Sequence, residues 1–356
     1  MSAHSHNGPE VIDIRPAEQL NRSRLDPWLR EHVPGIDSRA AINIRQFGGG
    51  HANLTYLVCV GSLKFVLRRP PLGPIAPRSH DMRREHRILS QLHHGFPLAP
   101  RSLAVCTDHG VLGCDFHIME RRVGFVIRRA LPPNHRGRPE LNRRISAMLV
   151  DTLAALHRVD PASVGLGDLG HPAGFAARQV SGWTTRWRAA ADRDRPAVER
   201  MATWLTRDTP SPSAVTLLHS DYKLDNILVD TTDPATPIAV LDWDMATRGD
   251  PLMDLGYLLT FWSESADDPR WIRATGMPTT ENGWMTREEV VARYAALTGF
   301  DVAHVEWHQV FSIFKLIVIL QQIYIRYLRG QTSDERFATF GVRIDNLADK
   351  GTALLG

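Results

Sequence analysis

Apolar and polar residues alternate along the first third of the chain in the manner of β-strands. Strand side chains point to opposite faces in turn, so a period of two predicts strands that are buried on one face. Glycines separate the first runs, which indicates a hairpin followed by a third strand. A proline-rich loop and a helix capped by Ser79 should come next, before two further strands. The predicted strands are residues 42–47, 54–60, 64–68, 102–106 and 116–120, and the predicted helix is residues 80–92.

The remaining two thirds of the chain is predominantly helical in pattern. Apolar residues recur at helical spacing from Leu141 to Leu156, and Pro27 is expected to open a short amphipathic helix near the N-terminus. The most apolar run, Phe311–Ile325, contains Lys315 and two glutamines. It is too short to span a bilayer, so a buried helix is expected.

These elements predict an α+β fold with a small β-rich N-terminal lobe and a larger, mainly helical C-terminal lobe. The expected divisions are a disordered tail over residues 1–16, a nucleotide-binding lobe over residues 17–120 and a catalytic, acceptor-binding lobe over residues 121–356. A chain of 356 residues is long enough for two such lobes.

Composition narrows the classes of partner. The net charge is only +3, and 38 of the 42 basic residues are Arg without a basic run among aromatic residues, so no nucleic-acid partner is expected. The three cysteines fit neither a metal site nor an even set of disulfides, which favours a reducing compartment. With no apolar leader in residues 1–16, we expect a cytoplasmic protein without a membrane partner. Its oligomeric state cannot be predicted.

The segment His219–Asn226 reads H-x-D-x-x-x-x-N, and Asp242 ends the next apolar run. Phosphoryl transfer uses such a set: a carboxylate that accepts or orients the proton of the attacking hydroxyl, and Asn and Asp oxygens that hold Mg²⁺ on the nucleotide. Asp221 is the predicted catalytic base, and Asn226 and Asp242 are the predicted metal ligands. We expect His219 to brace the loop and Asp244 to contact metal through water. Asp250 and Asp254 should support the loop.

The nucleotide half of the site is predicted from three separate signals. Glycine tolerates the dihedrals that bring backbone amides close to phosphates, although a glycine run between strands can also be a simple hairpin turn. Residues two apart on a strand share a face, so Val66 and Arg68 should point the same way. In the arrangement of kinases these two positions hold the residue against adenine and the cation on the phosphates, and an arginine suits phosphate oxygens. The alternative for Arg68 is a surface charge at a strand end. The residues expected to bind nucleotide in this way are Gly48, Gly49, Gly50, Asn53, Val66 and Arg68.

Glu85 provides a check on Arg68. It shares a helix face with Ile88, Leu89 and Leu92, and a carboxylate on a buried stripe is costly unless it is paired. Arg68 is the predicted partner. Alternatively, Glu85 lies at the edge of the stripe, in water, beside an arginine of its own helix.

These motifs together resemble the aminoglycoside phosphotransferase and choline kinase-like family of small-molecule kinases, in particular the branch whose kinase domain is fused to some acyl-CoA dehydrogenases. The resemblance implies a protein-kinase-like bilobal fold, ATP and Mg²⁺ as cofactors, and Met119 and Glu120 at a hinge against adenine. Two positions depart from the family pattern. Ser220 replaces a usual Gly, and Asp244 replaces a common Glu. The matching stretches run from residue 46 to about 344 and include Gln46–Tyr56, Phe65–Pro71, Arg84–His86, Ile118–Glu120, Arg178–Trp183, His219–Asn226 and Leu241–Gly256.

The acceptor is a small molecule with a hydroxyl group, and its identity remains open. Residues 121–200 contain fifteen Arg against seven acidic residues, some of them beside Trp183 and Trp187. A cationic, aromatic-lined approach favours an anionic or acyl-bearing acceptor over a polycationic aminoglycoside. The resemblance to the acyl-CoA dehydrogenase branch implies a hydroxyacyl-CoA or a hydroxy acid. An antibiotic kinase and an inactive nucleotide-binding scaffold are the alternatives.

Overall fold

The computed structural model of the chain describes residues 11–37, 39–48, 53–73, 80–332 and 334–355. It divides into two compact units. The first ends at Val123 and also includes Ala239–Asp244, and the second comprises Gly124–Ile238 and Met245–Gly356. The chain division thus falls three residues after the predicted boundary, and the short segment that carries Asp242 belongs to the first unit.

The first unit is built on an antiparallel sheet in the order β1-β2-β3-β4-β6-β5. The five strands expected from the alternating pattern are present within one residue of their predicted bounds. Their inward side chains, such as Tyr56, Leu67 and Phe116, are fully buried. Each large apolar side chain buried in this way contributes roughly 1.5–3 kcal/mol. The strands are Val11–Ile12 (β1), Ile42–Phe47 (β2), Leu54–Val60 (β3), Leu63–Arg69 (β4), Ser102–Cys106 (β5) and Phe116–Glu120 (β6).

Three local predictions in this unit are corrected. The predicted disordered tail is too long, because Val11–Ile12 pairs with β2 and Pro16–Glu18 forms a 3₁₀ turn. The first helix, Arg22–His32 (α1), begins before Pro27, since Leu25 and Leu29 on one face are both buried. The second helix, Met82–Leu92 (α2), is capped by Asp81, whose side chain accepts from the amide of Arg84 at 3.0 Å. Ser79 lies outside the described residues. A one-turn helix, His109–Leu112 (α3), completes the unit.

The second unit is mainly helical, with short strands that carry the catalytic segment. Strand β8 pairs with β11, and β7 pairs with β9. Short 3₁₀ turns lie at Pro133–His135, Leu224–Asn226 and Glu335–Thr339. The strands are Phe125–Val126 (β7), Thr216–Leu218 (β8), Ile227–Val229 (β9), Pro237–Val240 (β10, which leads into the first unit) and Thr247–Gly249 (β11). The helices are Pro139–His157 (α4), Phe175–Ala190 (α5), Pro196–Arg207 (α6), Leu252–Phe261 (α7), Pro269–Thr275 (α8), Arg287–Thr298 (α9), Val305–Leu328 (α10) and Phe340–Thr352 (α11).

Helix α10 is the central element of this unit. It packs against α5, α6, α7 and α11, and Gly256 lets α7 approach so closely that a Cβ there would lie 2.5 Å from the backbone of His308. Among the described residues it is the one helix long and apolar enough to cross a membrane, and most of its apolar stretch is buried in the unit. The buried helix expected around Phe311–Ile325 is therefore present but longer, with 24 residues.

Candidate active site

Arg68 on β4 is the centre of a buried ionic cluster in the first unit. Its guanidinium lies 3.2 Å from the carboxylate of Glu85 on α2 and also forms an ion pair with Asp242. The Arg68–Glu85 pair predicted from the sequence is present, and the alternative of a solvated Glu85 is wrong because its side chain is only 1% exposed. The buried face of helix α2 and the face of strand β4 that carries Arg68 are thus joined by this ion pair.

The charge state of this cluster follows from its contacts. Burial, the largest influence, raises the pKa of Glu85, but Arg68 and His117 lower it by more, so the pKa lies below its ordinary value of 4.5. Nε2 of His117 lies 3.5 Å from the Glu85 carboxylate. Burial disfavours the charge on Arg68, but Glu85 and Asp242 raise its pKa above the ordinary value. Both side chains are therefore held in their charged forms.

Asn53 adds a neutral partner to the same guanidinium. With its amide oriented to satisfy its neighbours, Asn53 Oδ1 accepts from Arg68 Nη2 at 2.6 Å and from Nε at 3.1 Å. Its Nδ2 donates to Nδ1 of His80 at 2.8 Å. The backbone carbonyl of Gly48, at the start of the glycine run, accepts from Arg15 Nη2 at 3.3 Å. Gly49 and Gly50 lie outside the described residues, so their predicted role stays a prediction.

Val66 and Met119 are direct partners across β4 and β6, and both are largely buried. This pairing creates an apolar patch two residues from Arg68 on the same strand, as an adenine contact requires. Glu120, next to Met119, is hydrogen-bonded to residues of the first unit. Its carboxylate accepts from the amide of Arg101 and from Nε of Arg122, both at 2.8 Å, and its own amide donates to the Arg101 carbonyl at 3.0 Å.

Asp242 is fixed by the residues around it. The indole of Trp243 is buried and donates to the Val240 carbonyl at 2.7 Å, and the Val240 amide donates to Leu98 at 2.8 Å. The backbone at Asp242 has a φ of 70°, in the left-handed region that non-glycine residues rarely adopt. The backbone carbonyl of Asp244 accepts from Arg84 at 2.9 Å. Strain at a defined position beside a charge cluster is typical of functional sites.

In the second unit, the predicted base Asp221 follows β8. Nδ2 of Asn226 donates to the carboxylate of Asp221 at 2.7 Å and to its carbonyl at 2.8 Å, so Oδ1 is the atom that Asn226 offers to a metal. The Asp221 amide donates to Nδ1 of the buried His219 at 3.2 Å, which agrees with a bracing role for the histidine. Burial and, after it, the nearby Asp221 carboxylate raise the pKa of the Tyr257 hydroxyl.

Lys223 is a site residue that the sequence predictions did not include. Its Nζ donates to both carboxylate oxygens of Asp221, each at 2.9 Å. Tyr222 and Leu224 on either side are fully buried, and the Tyr222 hydroxyl donates to the Leu149 carbonyl at 2.8 Å. Asp221 and Lys223 alternate in sequence with these buried residues, and their side chains contact each other instead of entering the core. A rare lysine in a chain with four, two residues after the base, was the available signal.

Asp254 supports the catalytic loop from below. Its carboxylate accepts from the amides of His219 at 2.6 Å and Ser220 at 2.7 Å, and Nε2 of His157 lies 3.2 Å away. Nδ1 of His157 is hydrogen-bonded to the Tyr294 hydroxyl at 2.6 Å. Burial raises the pKa of Asp254, but His157, His219 and the backbone amide of His219 lower it below the ordinary 3.8. The expected supporting role of Asp254 is thus present. Asp250 in turn accepts from the Leu252 amide at 2.9 Å, at the start of α7.

A pocket of about 180 Å³ lies beside the catalytic loop within the second unit. Lys315 from α10 lines it and donates to the Ser220 carbonyl at 2.8 Å. No acidic residue is among the described residues that line the pocket. The lining residues are Phe175, Gln179, Ser220, Met245, Thr247, Met253, Tyr257, Phe311, Ser312 and Lys315.

Three arginines of the arginine-rich segment, which lie near Trp183 and Trp187 in the sequence, are bound within the second unit and do not line this pocket. Arg178 donates to the backbone carbonyls of His171 and Ala173, and Arg188 pairs with Glu199 at 3.1 Å. Arg186 stacks on Trp183, 4.6 Å from the ring centre. None of these arginines is among the residues lining the pocket, where Lys315 is the cation among the described residues. Charge counted along a sequence does not reveal which charges are already neutralised.

The fold is that of the protein-kinase-like phosphotransferases. The chain belongs to the phosphotransferase enzyme family, whose sequence model matches residues 43–287. Among solved structures, a Ralstonia eutropha protein named as a candidate aminoglycoside phosphotransferase is 27% identical, with a TM-score of 0.81 over 95% of this chain and 98% of its own. A macrolide 2′-phosphotransferase type I shares the fold at 18% identity, with a TM-score of 0.60 over 93% of this chain and 98% of its own.

The curated relatives are longer proteins. Acyl-CoA dehydrogenase family member 11 of Rattus norvegicus is 34% identical over 352 residues, which are 97% of this chain and 44% of the relative. The Homo sapiens protein of the same name is 32% identical over 355 residues, again 97% of this chain and 44% of the relative. The chain therefore spans less than half the length of these relatives.

Proposed function

We propose that the protein transfers the γ-phosphoryl group of ATP to a hydroxyl group of a small molecule. The observation that carries this proposal is the arrangement of Asp221, which receives hydrogen bonds from Asn226 and Lys223 and directly follows Ser220, a residue of the pocket lining. In the proposed reaction the acceptor oxygen forms a bond to the γ-phosphorus while the bond to the β,γ-bridging oxygen breaks. Asp221 takes the proton of the acceptor hydroxyl, and ADP leaves.

The cluster around Arg68 supports ATP as the donor. A guanidinium presents a planar fork suited to phosphate oxygens, and Glu85 and Asn53 hold that fork in one orientation. The paired Val66 and Met119 supply apolar surface for adenine. Solved structures that share this fold contain ADP or AMP-PNP.

The predicted metal ligands have the right chemistry for Mg²⁺. Asp242 offers a carboxylate and Asn226 an amide oxygen, and Mg²⁺ is commonly bound by one or two such groups together with water and phosphate oxygens. Bound magnesium would neutralise charge on the nucleotide phosphates. Among the described residues no group of three or more His, Cys, Asp and Glu side chains forms a metal cluster, so a site supplied largely by the protein is not favoured.

For the acceptor, we propose a hydroxy acid or a hydroxyacyl-CoA. The alignment over nearly the whole chain with acyl-CoA dehydrogenase family members supports an acyl-type acceptor. The pocket lining, which is apolar or neutral apart from Lys315, supports it independently. An aminoglycoside acceptor, as in the hygromycin B complex of a structural neighbour, is the second candidate, but a site for polycations should gather carboxylates.

The test is a comparison of ATP consumption with hydroxyacyl-CoA, hydroxy acids and aminoglycosides as acceptors, using wild type and Asp221→Asn. We expect Asp221→Asn to retain ATP binding and to lose turnover by roughly 10²–10⁴-fold or more, because general-base assistance is removed. Asp230→Asn is the matched control. Asp230 lies in the following turn, where it accepts from Thr232, and the same substitution there should leave turnover unchanged.

Three outcomes separate the candidates. Turnover on aminoglycosides alone would exclude the acyl-type acceptor, while full turnover by Asp221→Asn would exclude Asp221 as the base. ATP binding without phosphorylation of any acceptor, together with no effect of Asp221→Asn in cells, would favour an inactive nucleotide-binding scaffold.

A further inference from the structure

Lys315 occupies an unusual place for a lysine. It lies in the buried stretch of α10, its side chain is 7% exposed, and it lines the pocket beside the catalytic loop. A buried ammonium group is costly unless polar partners compensate for lost water. Here the Ser220 carbonyl accepts from Nζ at 2.8 Å, and the ring of Tyr257 lies 4.9 Å from it.

Both partners connect the ammonium group to the proposed base. Ser220 directly precedes Asp221 in the chain, and the Asp221 carboxylate is close enough to Tyr257 to raise the pKa of its hydroxyl, after the larger effect of burial. A ligand group that contacts Lys315 would therefore lie on the same wall of the pocket as the reacting centre. No acidic residue is among the described residues that line the pocket, so Lys315 is the charged side chain of that lining.

We propose that Lys315 determines the charge selectivity of the acceptor pocket: it binds a carboxylate or carbonyl oxygen of the acceptor and disfavours an ammonium group. This role rests on the proposed function only in taking the pocket as the place of the acceptor. Gln179, Thr247 and Ser312 add neutral hydrogen-bonding groups, and the aromatic and methionine side chains suit an apolar chain attached to that oxygen. Lys315 is thus assigned to substrate recognition rather than to proton transfer.

A purely structural lysine is the competing explanation, and the chain contains an example for comparison. Lys350 on α11 is 3% exposed, and its Nζ donates to the Thr260 carbonyl at 3.0 Å, but it does not line the pocket. Lys315 and Lys350 therefore match in burial and in bonding to a backbone carbonyl. They differ in their access to the pocket, which makes Lys350→Met the control for the general effect of losing a buried ammonium group.

The experiment measures binding to the full chain by calorimetry or ligand-observed NMR, so that it does not depend on turnover. The probes are hexanoate, hexanamide and hexylamine, which share a chain length and differ in the charge of the end group. The variants are Lys315→Met, Lys315→Gln, Lys315→Arg and Lys350→Met. Lys315→Gln retains a donor for the Ser220 carbonyl without the charge, so it separates selectivity from support of the loop even if Lys315→Met does not fold.

Wild type and Lys350→Met should bind hexanoate at least about tenfold more tightly than hexylamine, as expected for a hydrogen bond to a charged group. Lys315→Gln should lose this preference, and Lys315→Arg should keep it. Equal affinity for hexanoate and hexanamide in wild type would identify the carbonyl oxygen as the recognised group, whereas tighter hexanoate binding would identify the carboxylate.

Two results would overturn the assignment: tighter binding of hexylamine by wild type, or an unchanged preference in Lys315→Gln. Phosphorylation assays on the same proteins keep the two proposals separate. Charge selectivity without phosphorylation of hydroxyhexanoate or any other acceptor would leave the assignment intact and count against the proposed kinase activity. Phosphorylation of an acceptor, together with an unchanged preference for hexanoate over hexylamine in Lys315→Gln, would support the kinase activity and overturn the role assigned to Lys315.

Discussion

Nζ of Lys223 lies 2.9 Å from both carboxylate oxygens of Asp221. The two side chains are mostly buried, at 18% and 19% exposure, so water screens the pair only partly. Lys223 therefore holds the carboxylate in one orientation. It also places a positive charge beside the group to which we assign the acceptor proton, where charge changes during phosphoryl transfer.

We predict that Lys223→Met lowers kcat by about 10²–10³-fold, the loss typical of removing one donor aimed at developing charge. The substitution should change the affinity for ATP much less than kcat. Steady-state kinetics with ATP and a phosphorylated acceptor, together with equilibrium ATP binding, check both statements. Lys223→Arg keeps the charge and should recover part of the rate, while Lys64→Met on strand β4 serves as a control for losing a lysine far along the chain. An unchanged kcat in Lys223→Met would contradict the role given to this residue.

Ser220 adopts a φ of 69°, a conformation that glycine takes at no steric cost. The family pattern has Gly at this position, and the loop here keeps the left-handed backbone that Gly allows. We predict that Ser220→Gly stabilises the protein by up to about 1 kcal/mol, because relief of local strain exceeds the entropy that glycine adds to the unfolded chain. Urea unfolding of wild type and variant measures the change in the free energy of unfolding, provided that both proteins show the same dependence of this free energy on urea concentration.

The control for this prediction is Ser90→Gly in helix α2, where the backbone is helical and glycine should destabilise by a few tenths of a kcal/mol or more. Ser220→Val should destabilise, since a β-branched residue tolerates positive φ poorly. Equal destabilisation in Ser220→Gly and Ser90→Gly would mean that the loop stores no strain at Ser220.

The buried carboxylate of Glu85 predicts how stability depends on acid. Its pKa in the folded protein lies below the ordinary 4.5, so the unfolded chain binds its proton more readily. The stabilisation it provides is thus fully present above about pH 4.5 and is lost as the pH falls through the folded-state pKa. We expect Glu85→Gln to lower the free energy of unfolding at neutral pH and to flatten its decline below pH 4.5.

Denaturant unfolding from about pH 3 to 7 would check this expectation. Glu31→Gln is the control, because Glu31 is exposed on helix α1 and the same substitution there should leave the acid limb unchanged. Parallel curves for wild type and Glu85→Gln would show that the Arg68 pair does not contribute to acid stability.

Local patterns predicted much of the first unit. Strand periodicity placed Val66 and Arg68 on one face, and helix periodicity placed Glu85 on a buried stripe, so their ion pair could be anticipated from two short segments. The second contact of Arg68 could not. Asp242 lies 174 residues further along the chain, and its place in the first unit depends on Trp243 and Val240 packing there.

Charge composition was the least reliable guide. Arg178 and Arg188 contributed to the predicted cationic approach, but their guanidinium groups are bonded to nearby carbonyls and to Glu199. Lys315, in the buried stretch of helix α10, is the cation among the described residues that line the pocket. Formal charge depends on residue type alone, whereas the field in a pocket depends on which side chains are neutralised and which lie at its wall.

The sequence by itself determined the strands, most helices, the family and the proposed catalytic set, because these depend on periodicity and on residue types at short, fixed spacings. Only the tertiary structure decided that Lys223 bonds Asp221, that Asp254 holds the catalytic loop through two backbone amides, and that Lys315 lies at the pocket. Those relationships depend on side-chain burial and on contacts between segments that are far apart in the sequence. Such contacts arise only when the hydrophobic core of the whole unit is packed, so short-range patterns do not reveal them.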